Sequence, residues 1–153
     1  MSIDLTLLKK LRGETGVSFS VCKKALEEGK NDLEKAKKLL GKWGEKKAAD
    51  KADRATDQGV IASYVHHNRK IATLVELQTE TDFVANNEDF RKLASEIAMQ
   101  VATMNPEHVE ELLKQEYIRD ASKTIGDLVK DAVLKFGENT KIARIMRWEL
   151  GKE

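Results

Sequence analysis

The chain has 153 residues, 41% of them hydrophobic and 35% charged, with a formal net charge of +1, which suits one globular domain or a small module joined to a compact core. No run of 18 apolar residues occurs, and the first residues lack the apolar centre of a secretion signal, which argues against a membrane-spanning or exported protein. Cys22 is the single cysteine, so an internal disulfide is excluded and a cytoplasmic location is expected.

Residues 1–44 are predicted to form three short helices. Apolar residues recur at helical spacing in three stretches, and each stretch is followed by glycine, which favours a helix end. Ser18 is expected to cap the second helix, while Asn31 and Glu34 have the spacing of a capping box for the third. A bundle of such short helices is marginally stable alone and, by analogy of fold, typical of docking modules. The predicted helix ends are Gly13 with Gly16, Gly29, and Gly41.

Basic charge is concentrated at the amino-terminal end of the chain. Residues 1–56 contain 14 Lys and Arg against 9 Asp and Glu, whereas residues 57–153 contain 13 against 17. A basic head on an acidic body indicates an interaction surface, although a solvated face of lysine-rich helices explains the same counts. Aromatic residues make up 5% of the chain and none alternates with the basic run, so direct nucleic-acid binding is not expected.

Residues 45–57 are rich in Ala, Lys and Asp and are interpreted as a helical or flexible linker to an α+β core at residues 58–153. In the core, three stretches have the composition of strands and two have the spacing of amphipathic helices. The expected fold is an antiparallel three-stranded sheet with helices packed on one face. In chain order the elements are the strand 59–65, the strand 70–77, a helix ended by Asn105-Pro106, a short helix within 107–120, a helix between Thr124 and Gly137, and the strand 141–150.

The sequence does not indicate a site for catalysis or for a bound cofactor. Phosphate-binding glycine loops are absent and no Ser-His-Asp or Cys-His arrangement is suggested, so neither enzyme activity nor a cofactor is expected. On a strand His66 and His67 would point to opposite sides, so a metal site is not expected, and the two are interpreted as edge or turn residues of a hairpin. Cys22 falls on the apolar side of its helix and is interpreted as a small core residue. Trp43 is expected to cover the bundle, and Trp148 to pack on the core from its strand.

The stretch ETDFVANN, residues 80–87, separates the second strand from the first core helix. A phenylalanine beside an aspartate is unusual there, because small polar residues suffice for such a junction. Periodicity alone favours Phe83 as a core residue that staples the following helix. The alternative is an exposed aromatic anchor for a protein partner, held by a strand end and a helix start, with Val84 facing inward instead.

Three motifs resemble those of the bacterial elongation factor Ts family. Residues 76–90, ELQTETDFVANNEDF, are similar to the family's core signature, and residues 11–26 are similar to its amino-terminal signature. Residues 137–144, GENTKIAR, resemble a third family segment. The motifs occur in the family's order and extend over nearly the whole chain, so their combination is a specific signal.

The resemblance implies a three-helix, ubiquitin-associated-like head, a linker and an α+β core, and it implies guanine nucleotide exchange on elongation factor Tu. The nucleotide and Mg²⁺ then belong to the partner, so the chain needs no cofactor of its own. By position in the family's motifs, Asp82 and Phe83 would enter the partner near its Mg²⁺ and phosphates, flanked by Thr81 and Val84. The remaining partner contacts implied by family position are Arg12, Phe19, Ser20 and Lys23 in the head, and Phe136 and Gly137 at a corner of the core.

The chain is short for this family, and it departs from the family pattern at Phe19, Ser20 and Val21, where relatives carry Met-Met-Asp. Many relatives have a second core half and a helical-hairpin insertion. Because short members can pair two chains, a homodimer in a 2:2 complex with elongation factor Tu, GDP-bound or nucleotide-free, is expected. The alternative function is a small RNA- or ribosome-binding protein that uses the basic head, and a steep salt dependence would distinguish it.

Overall fold

A computed structural model describes residues 2–153. By contact density these residues form two compact units: the residues up to Ala52 together with Lys130–Gly137, and Asp53–Val129 together with Glu138–Glu153. The elements within residues 2–153 are α1 Leu5–Thr15, α2 Phe19–Glu28, α3 Leu33–Lys51, β1 Gln58–Val65, β2 Ile71–Thr79, α4 Asp82–Ala85, α5 Glu88–Met104, α6 Val109–Lys114, β3 Glu116–Tyr117, β4 Asp120–Thr124, α7 Ile125–Phe136 and β5 Lys141–Glu149.

The first unit is the predicted bundle of three helices together with the last turns of α7. Trp43 is partly buried against its core, as predicted. Gly16 ends α1 in the left-handed conformation with φ of 68°, which glycine adopts without steric cost. The core side chains of this unit are Leu8, Leu11, Val17, Cys22, Ala25, Leu26, Ala36, Leu40 and Leu134.

Two predicted details of the third helix are wrong. Asp32, rather than Asn31, caps α3, and its side chain accepts a hydrogen bond from the amide of Lys35. The helix also does not stop at Gly41 but continues to Lys51, so residues 45–51 of the expected linker are helical. Tertiary packing explains the extension, because Gly44 is buried and the carbonyl of Lys130 lies 3.2 Å from the position that a Cβ would occupy there.

The second unit contains the predicted antiparallel sheet, in the strand order β1-β2-β5. Helix α5 packs on β1 and β2, and the side chains of β2 alternate between the covered and the open face. Thr73, Val75 and Leu77 are buried on the covered face, while Leu74 is exposed on the other. The α+β fold expected from the sequence is therefore confirmed.

The ends of the two long core helices are also as predicted. Asn105 ends α5 in the left-handed conformation, and Gly137 follows the last residue of α7. Thr124 caps α7 through a reciprocal pair of bonds: its hydroxyl accepts from the amide of Asp127 at 3.0 Å, and the Asp127 carboxylate accepts from the amide of Thr124 at 2.9 Å. Among the described residues no helix is both long and apolar enough to cross a bilayer.

Two features of the second unit were not predicted. The short hairpin of β3 and β4 follows α6, where the sequence indicated only a helix. Trp148 is 72% exposed rather than packed on the core. The cause is a bulge in β5: Leu77 pairs with Ile142 but Glu76 pairs with Arg144, so one extra residue reverses the alternation of β5.

Candidate functional site

The segment between β2 and α5 is a short helix, α4, instead of a plain turn. Thr81 caps it, because the Thr81 hydroxyl accepts a hydrogen bond from the amide of Val84 at 3.3 Å. Phe83 is 84% exposed, whereas Val84 is 5% exposed and Ala85 is 3% exposed. The outward orientation of Phe83 and the inward orientation of Val84 are therefore confirmed, and the core-staple interpretation of Phe83 is wrong. We call Thr81–Val84 the wedge segment.

Both sides of the wedge segment are attached to regular structure. Before it, β2 ends at Thr79, which is fully buried. After it, the side chain of Asn87 caps α5 by accepting from the amide of Asp89 at 2.8 Å. Asp82 is exposed in the first turn of α4, where the helix dipole favours an acid. The segment thus presents an aromatic ring and a carboxylate side by side from a defined backbone.

Two glutamates that sequence reasoning did not single out fasten the chain just before α4. Glu138 accepts hydrogen bonds from Thr79 and Thr81, which lie 57 to 59 positions earlier. Glu80 accepts from the amide of Asn139 at 2.6 Å and forms an ion pair with Arg54 at 3.6 Å. No local pattern could have indicated these contacts, because the two segments meet only when β2 and β5 pair.

The head residues implied by the resemblance lie around the start of α2. The guanidinium carbon of Arg12 lies 5.8 Å from the ring centroid of Phe19, a cation–π arrangement, and Phe19 is 46% exposed. Ser20 and Lys23 are exposed on the same helix. Ser18 occupies the cap position of α2 without a capping side-chain bond. These residues form an accessible surface. Their positions are set by the packing of the helices, because within residues 2–153 no side-chain hydrogen bond caps the start of α2.

Cys22, on the opposite side of α2, belongs to the core as predicted. Its side chain is fully buried, and this burial raises the pKa of the Cys22 thiol above its ordinary value despite a hydrogen bond with Thr15. A buried, protonated thiol is a poor nucleophile, so this cysteine is structural.

The corner implied by the resemblance, Phe136 and Gly137, lies at the end of α7, in the part of that helix that belongs to the first unit. Phe136 is half-buried, with the Nζ of Lys135 5.4 Å from its ring centroid. Gly137 follows in the left-handed conformation with φ of 72°, and its carbonyl accepts a hydrogen bond from Nζ of Lys51 at 2.6 Å. The cation at the helix end is favourably placed with respect to the helix dipole. The partner-binding role of this corner stays a prediction.

The adjacent histidines lie in a hairpin turn, which agrees with their interpretation as edge or turn residues. His66 and His67 follow β1, and their ring centroids are 4.1 Å apart, so the two rings do not stand on opposite faces of a strand. The Nδ1 of His66 is 2.9 Å from the hydroxyl of Tyr64. In residues 2–153 no group of three or more His, Cys, Asp or Glu side chains could hold a metal ion.

The face of the sheet opposite α5 is uncovered and apolar. In the pairing register Leu74 stands between Ser63 and Met146, and Ala72 stands between Val65 and Trp148. Contiguous exposed apolar area of this kind marks an interaction surface. We call it the outer sheet face, and its apolar members are Ile61, Val65, Leu74, Met146 and Trp148, with exposed fractions from 43% to 72%.

Comparison with known proteins gives a consistent result. The family model described as "Elongation factor TS" matches residues 80–153, and the one described as "Elongation factor Ts, mitochondrial, N-terminal" matches residues 1–51. The chain is 40% identical to elongation factor Ts of Coprothermobacter proteolyticus in an alignment with a length of 197 residues, which covers 99% of this chain and 100% of the relative. It is 39% identical over 195 residues to elongation factor Ts of Thermosipho melanesiensis, covering 98% and 100%. It is 39% identical over 198 residues to the protein of the same name from Nitratidesulfovibrio vulgaris, covering 100% and 99%.

Proposed function

The chain belongs to the elongation factor Ts family, and from that premise we propose that it is a guanine nucleotide exchange factor for elongation factor Tu in translation elongation. It acts by binding, without bond chemistry or a cofactor of its own. Because translation takes place in the cytoplasm, the proposed function implies a cytoplasmic protein, as was expected from the single cysteine.

The exposure of Phe83 is the observation that carries the proposal. Phe83 is 84% exposed, and phenylalanine is one of the residue types enriched where a partner covers a protein surface. Phe83 stands on a helix whose start is capped by Thr81 and whose inner side is anchored by Val84. Little conformational entropy is therefore lost when a partner takes up the ring.

The wedge would act on the partner's own nucleotide site. A GTPase holds its nucleotide through backbone amides around the phosphates and through Mg²⁺. An aromatic ring inserted beside that site, with the Asp82 carboxylate next to it, would displace the groups that hold Mg²⁺ and the β-phosphate. The effect is a coupling free energy, so GDP must weaken binding of this chain as strongly as this chain weakens GDP.

Phe83 alone cannot supply the whole effect. Burying one phenylalanine contributes about 1.5–3 kcal/mol, whereas a 10⁴-fold shift of an equilibrium requires about 5.5 kcal/mol. Additional contacts are needed, and the proposal assigns them to the head surface around Arg12 and Phe19 and to the corner at Phe136 and Gly137. The head's exposed ring and its neighbouring guanidinium are the side-chain types that dominate protein interfaces.

We further propose that two copies of the chain associate through the outer sheet face, giving a 2:2 complex with elongation factor Tu. Facing sheets pack with interdigitating side chains about 10 Å apart, and the flat rows of Val65, Leu74, Met146 and Trp148 suit such a contact. A second copy is the favoured occupant because the surface would then be self-complementary, as a two-fold interface requires.

Stopped-flow release of fluorescent GDP from elongation factor Tu tests the exchange function. The wild-type chain should accelerate release strongly. Phe83→Ala should lose about 10- to 100-fold of that acceleration, as expected for removal of one buried aromatic anchor, while its circular dichroism and thermal unfolding stay as in the wild type because the side chain is exposed. Unchanged release with Phe83→Ala would refute the wedge role.

The same assay separates the exchange factor from the RNA-binding alternative. An exchange factor binds nucleotide-free elongation factor Tu tightly, and its affinity for RNA is weak and unspecific. If the chain instead bound RNA with an affinity that fell steeply between about 50 and 200 mM salt, and left GDP release unaltered, the basic head would be the functional surface.

A further inference from the structure

The carboxylate of Glu138 collects three hydrogen bonds at the start of the wedge segment. It accepts from the hydroxyl of Thr79 at 3.0 Å, from the amide of Thr81 at 3.0 Å, and from the hydroxyl of Thr81 at 2.7 Å. Hydrogen bonds to an ionised carboxylate are shorter and about twice as strong as those between neutral groups. One side chain from a distant part of the sequence thus holds both the end of β2 and Thr81, the residue that caps α4.

A second bond runs in the opposite direction between the same two segments, because the amide of Asn139 donates to the Glu80 carboxylate at 2.6 Å. The side-chain amide of Asn139 also donates to the carbonyl of Arg54, before β1, at 2.8 Å. Asn139 is itself buried. We call the set formed by Thr79, Glu80, Thr81, Glu138 and Asn139 the clasp.

The clasp is continuous with the backbone that carries Phe83. The Thr81 hydroxyl donates to Glu138 and at the same time accepts from the amide of Val84. Glu138 is therefore one hydroxyl away from the helical turn that contains Phe83. A helix of four residues is far too short to be stable by itself, so its orientation depends on the burial of Val84 and on the hydrogen bonds at its ends.

We propose that Glu138 is a positioning residue of the exchange reaction: through Thr81 it orients α4 and so aims Phe83 at the partner. This inference rests on the proposed wedge function. It assigns Glu138 a role beyond joining β2 to the segment before β5, since the two strands are already joined by their backbone pairing.

The test is a double-mutant cycle on GDP release between Glu138→Ala and Phe83→Ala. With Phe83 present, Glu138→Ala should slow stimulated release about tenfold, the effect expected for loss of a charged acceptor. In the Phe83→Ala background the same change should matter less than about twofold, because there is no ring left to aim. Glu138→Gln, which keeps an accepting oxygen, should restore release to within about threefold of wild type.

Hydrogen exchange of the Val84 amide provides a readout that does not depend on the partner. It should be faster in Glu138→Ala than in the wild type and close to wild type in Glu138→Gln, because the capping hydroxyl of Thr81 loses its orientation only in the first variant. Glu88→Ala is a matched control, since it removes an exposed carboxylate near α4 outside the clasp, and both release and exchange should stay as in the wild type.

The outcomes are distinct. If Phe83→Ala leaves release unaltered, the wedge function fails. If Phe83→Ala slows release but Glu138→Ala does not, or slows it equally in both backgrounds, the positioning role of Glu138 is refuted and the wedge function stands. If Glu138→Ala is unfolded at the assay temperature, Glu138→Asp decides, because it keeps the charge and the Thr81 cap but shortens the side chain that reaches the Thr81 hydroxyl. It should show the same dependence on Phe83, and an equal slowing in both backgrounds would refute the positioning role.

Discussion

The wedge segment and the outer sheet face are both exposed and apolar, yet they are built in different ways. The wedge segment offers one aromatic ring on a short helix, whose capping hydroxyl of Thr81 accepts a hydrogen bond from Val84 and donates one to Glu138. The outer sheet face offers five apolar side chains in adjacent rows, and their positions are set by the backbone pairing of three strands. Both belong to the same unit of the chain.

If the two proposed contacts form, this difference should set how long each of them lasts. A single ring in a small polar frame gives a specific contact of modest free energy, which suits a partner that is bound and released in every exchange cycle. Covering an apolar sheet face stabilises the complex in proportion to the apolar area buried. Such a face suits a permanent contact between two copies, because permanent interfaces are large and hydrophobic. The predictions that follow test whether these two surfaces have separate tasks.

Disrupting the outer sheet face should have the largest effect. Trp148→Glu would place a charge once in each copy in the row of the proposed contact that contains Val65 and Ala72. With a loss of about 2 kcal/mol per subunit, typical of a tryptophan buried in an interface, dimer affinity should fall about 1,000-fold. Sedimentation velocity over a range of concentrations measures this change directly.

Two control variants sharpen the dimer test. Trp148→Phe keeps an apolar ring and should stay dimeric, while Lys92→Glu changes the charge of an exposed residue of α5, on the covered side of the sheet, and should not alter the mass. A wild-type chain that is monomeric and forms a fully active 1:1 complex with elongation factor Tu would contradict the pairing, and the contrast between the two surfaces would disappear.

Substitutions in the head should have an intermediate effect. Arg12→Ala and Phe19→Ala should each weaken binding to nucleotide-free elongation factor Tu by about two- to fivefold, because exposed cation–π and ion contacts contribute about 0.5–1 kcal/mol. Isothermal titration calorimetry gives the affinities, with the exposed Lys38→Ala as a control of equal charge change for Arg12→Ala. A loss as large as that of Phe83→Ala would mean that the head contributes as much as the wedge segment.

The smallest effect is expected at the polar edge of the outer sheet face. Hydrogen bonds from Gln78 and from Arg144 lower the pKa of Glu76 below its ordinary value. Because the folded-state pKa is the lower one, the stabilisation is complete above the unfolded-state pKa of about 4.3 and is lost as the pH falls through the folded-state value. Urea unfolding should therefore show wild type slightly more stable than Glu76→Gln at pH 7 and equal to it near pH 3. A difference that is independent of pH would show that the ion pair is not the cause.

Most of the fold could be predicted from local sequence because local interactions decide it. Helix ends at Gly16, Asn105 and Gly137 follow from residues that adopt the left-handed conformation, and the three strands of the sheet follow from composition. The prediction failed at Gly41, where glycine usually weakens a helix. There α3 continues because its later residues are packed, as the close approach of Lys130 to Gly44 illustrates.

The candidate site was predicted only in part. The outward Phe83 and inward Val84 could be inferred once the motif was recognised, since residues 81–85 alone make the capped turn. The clasp could not, because Glu138 meets Thr79 and Thr81 across 57 to 59 positions of sequence. An isolated Gly-Glu-Asn gives no information about which strand end it will face.

The sequence by itself determined the classes and boundaries of most elements and the membership in a family. It also singled out Phe83 as an unusual aromatic in the polar junction between β2 and α5. Only the tertiary structure decided which way the side chains of β5 point and what holds the wedge segment. A single extra residue in β5 turned Trp148 from the core to the outer sheet face. Such decisions depend on pairing between distant segments, whereas sequence patterns report interactions among neighbours a few residues apart.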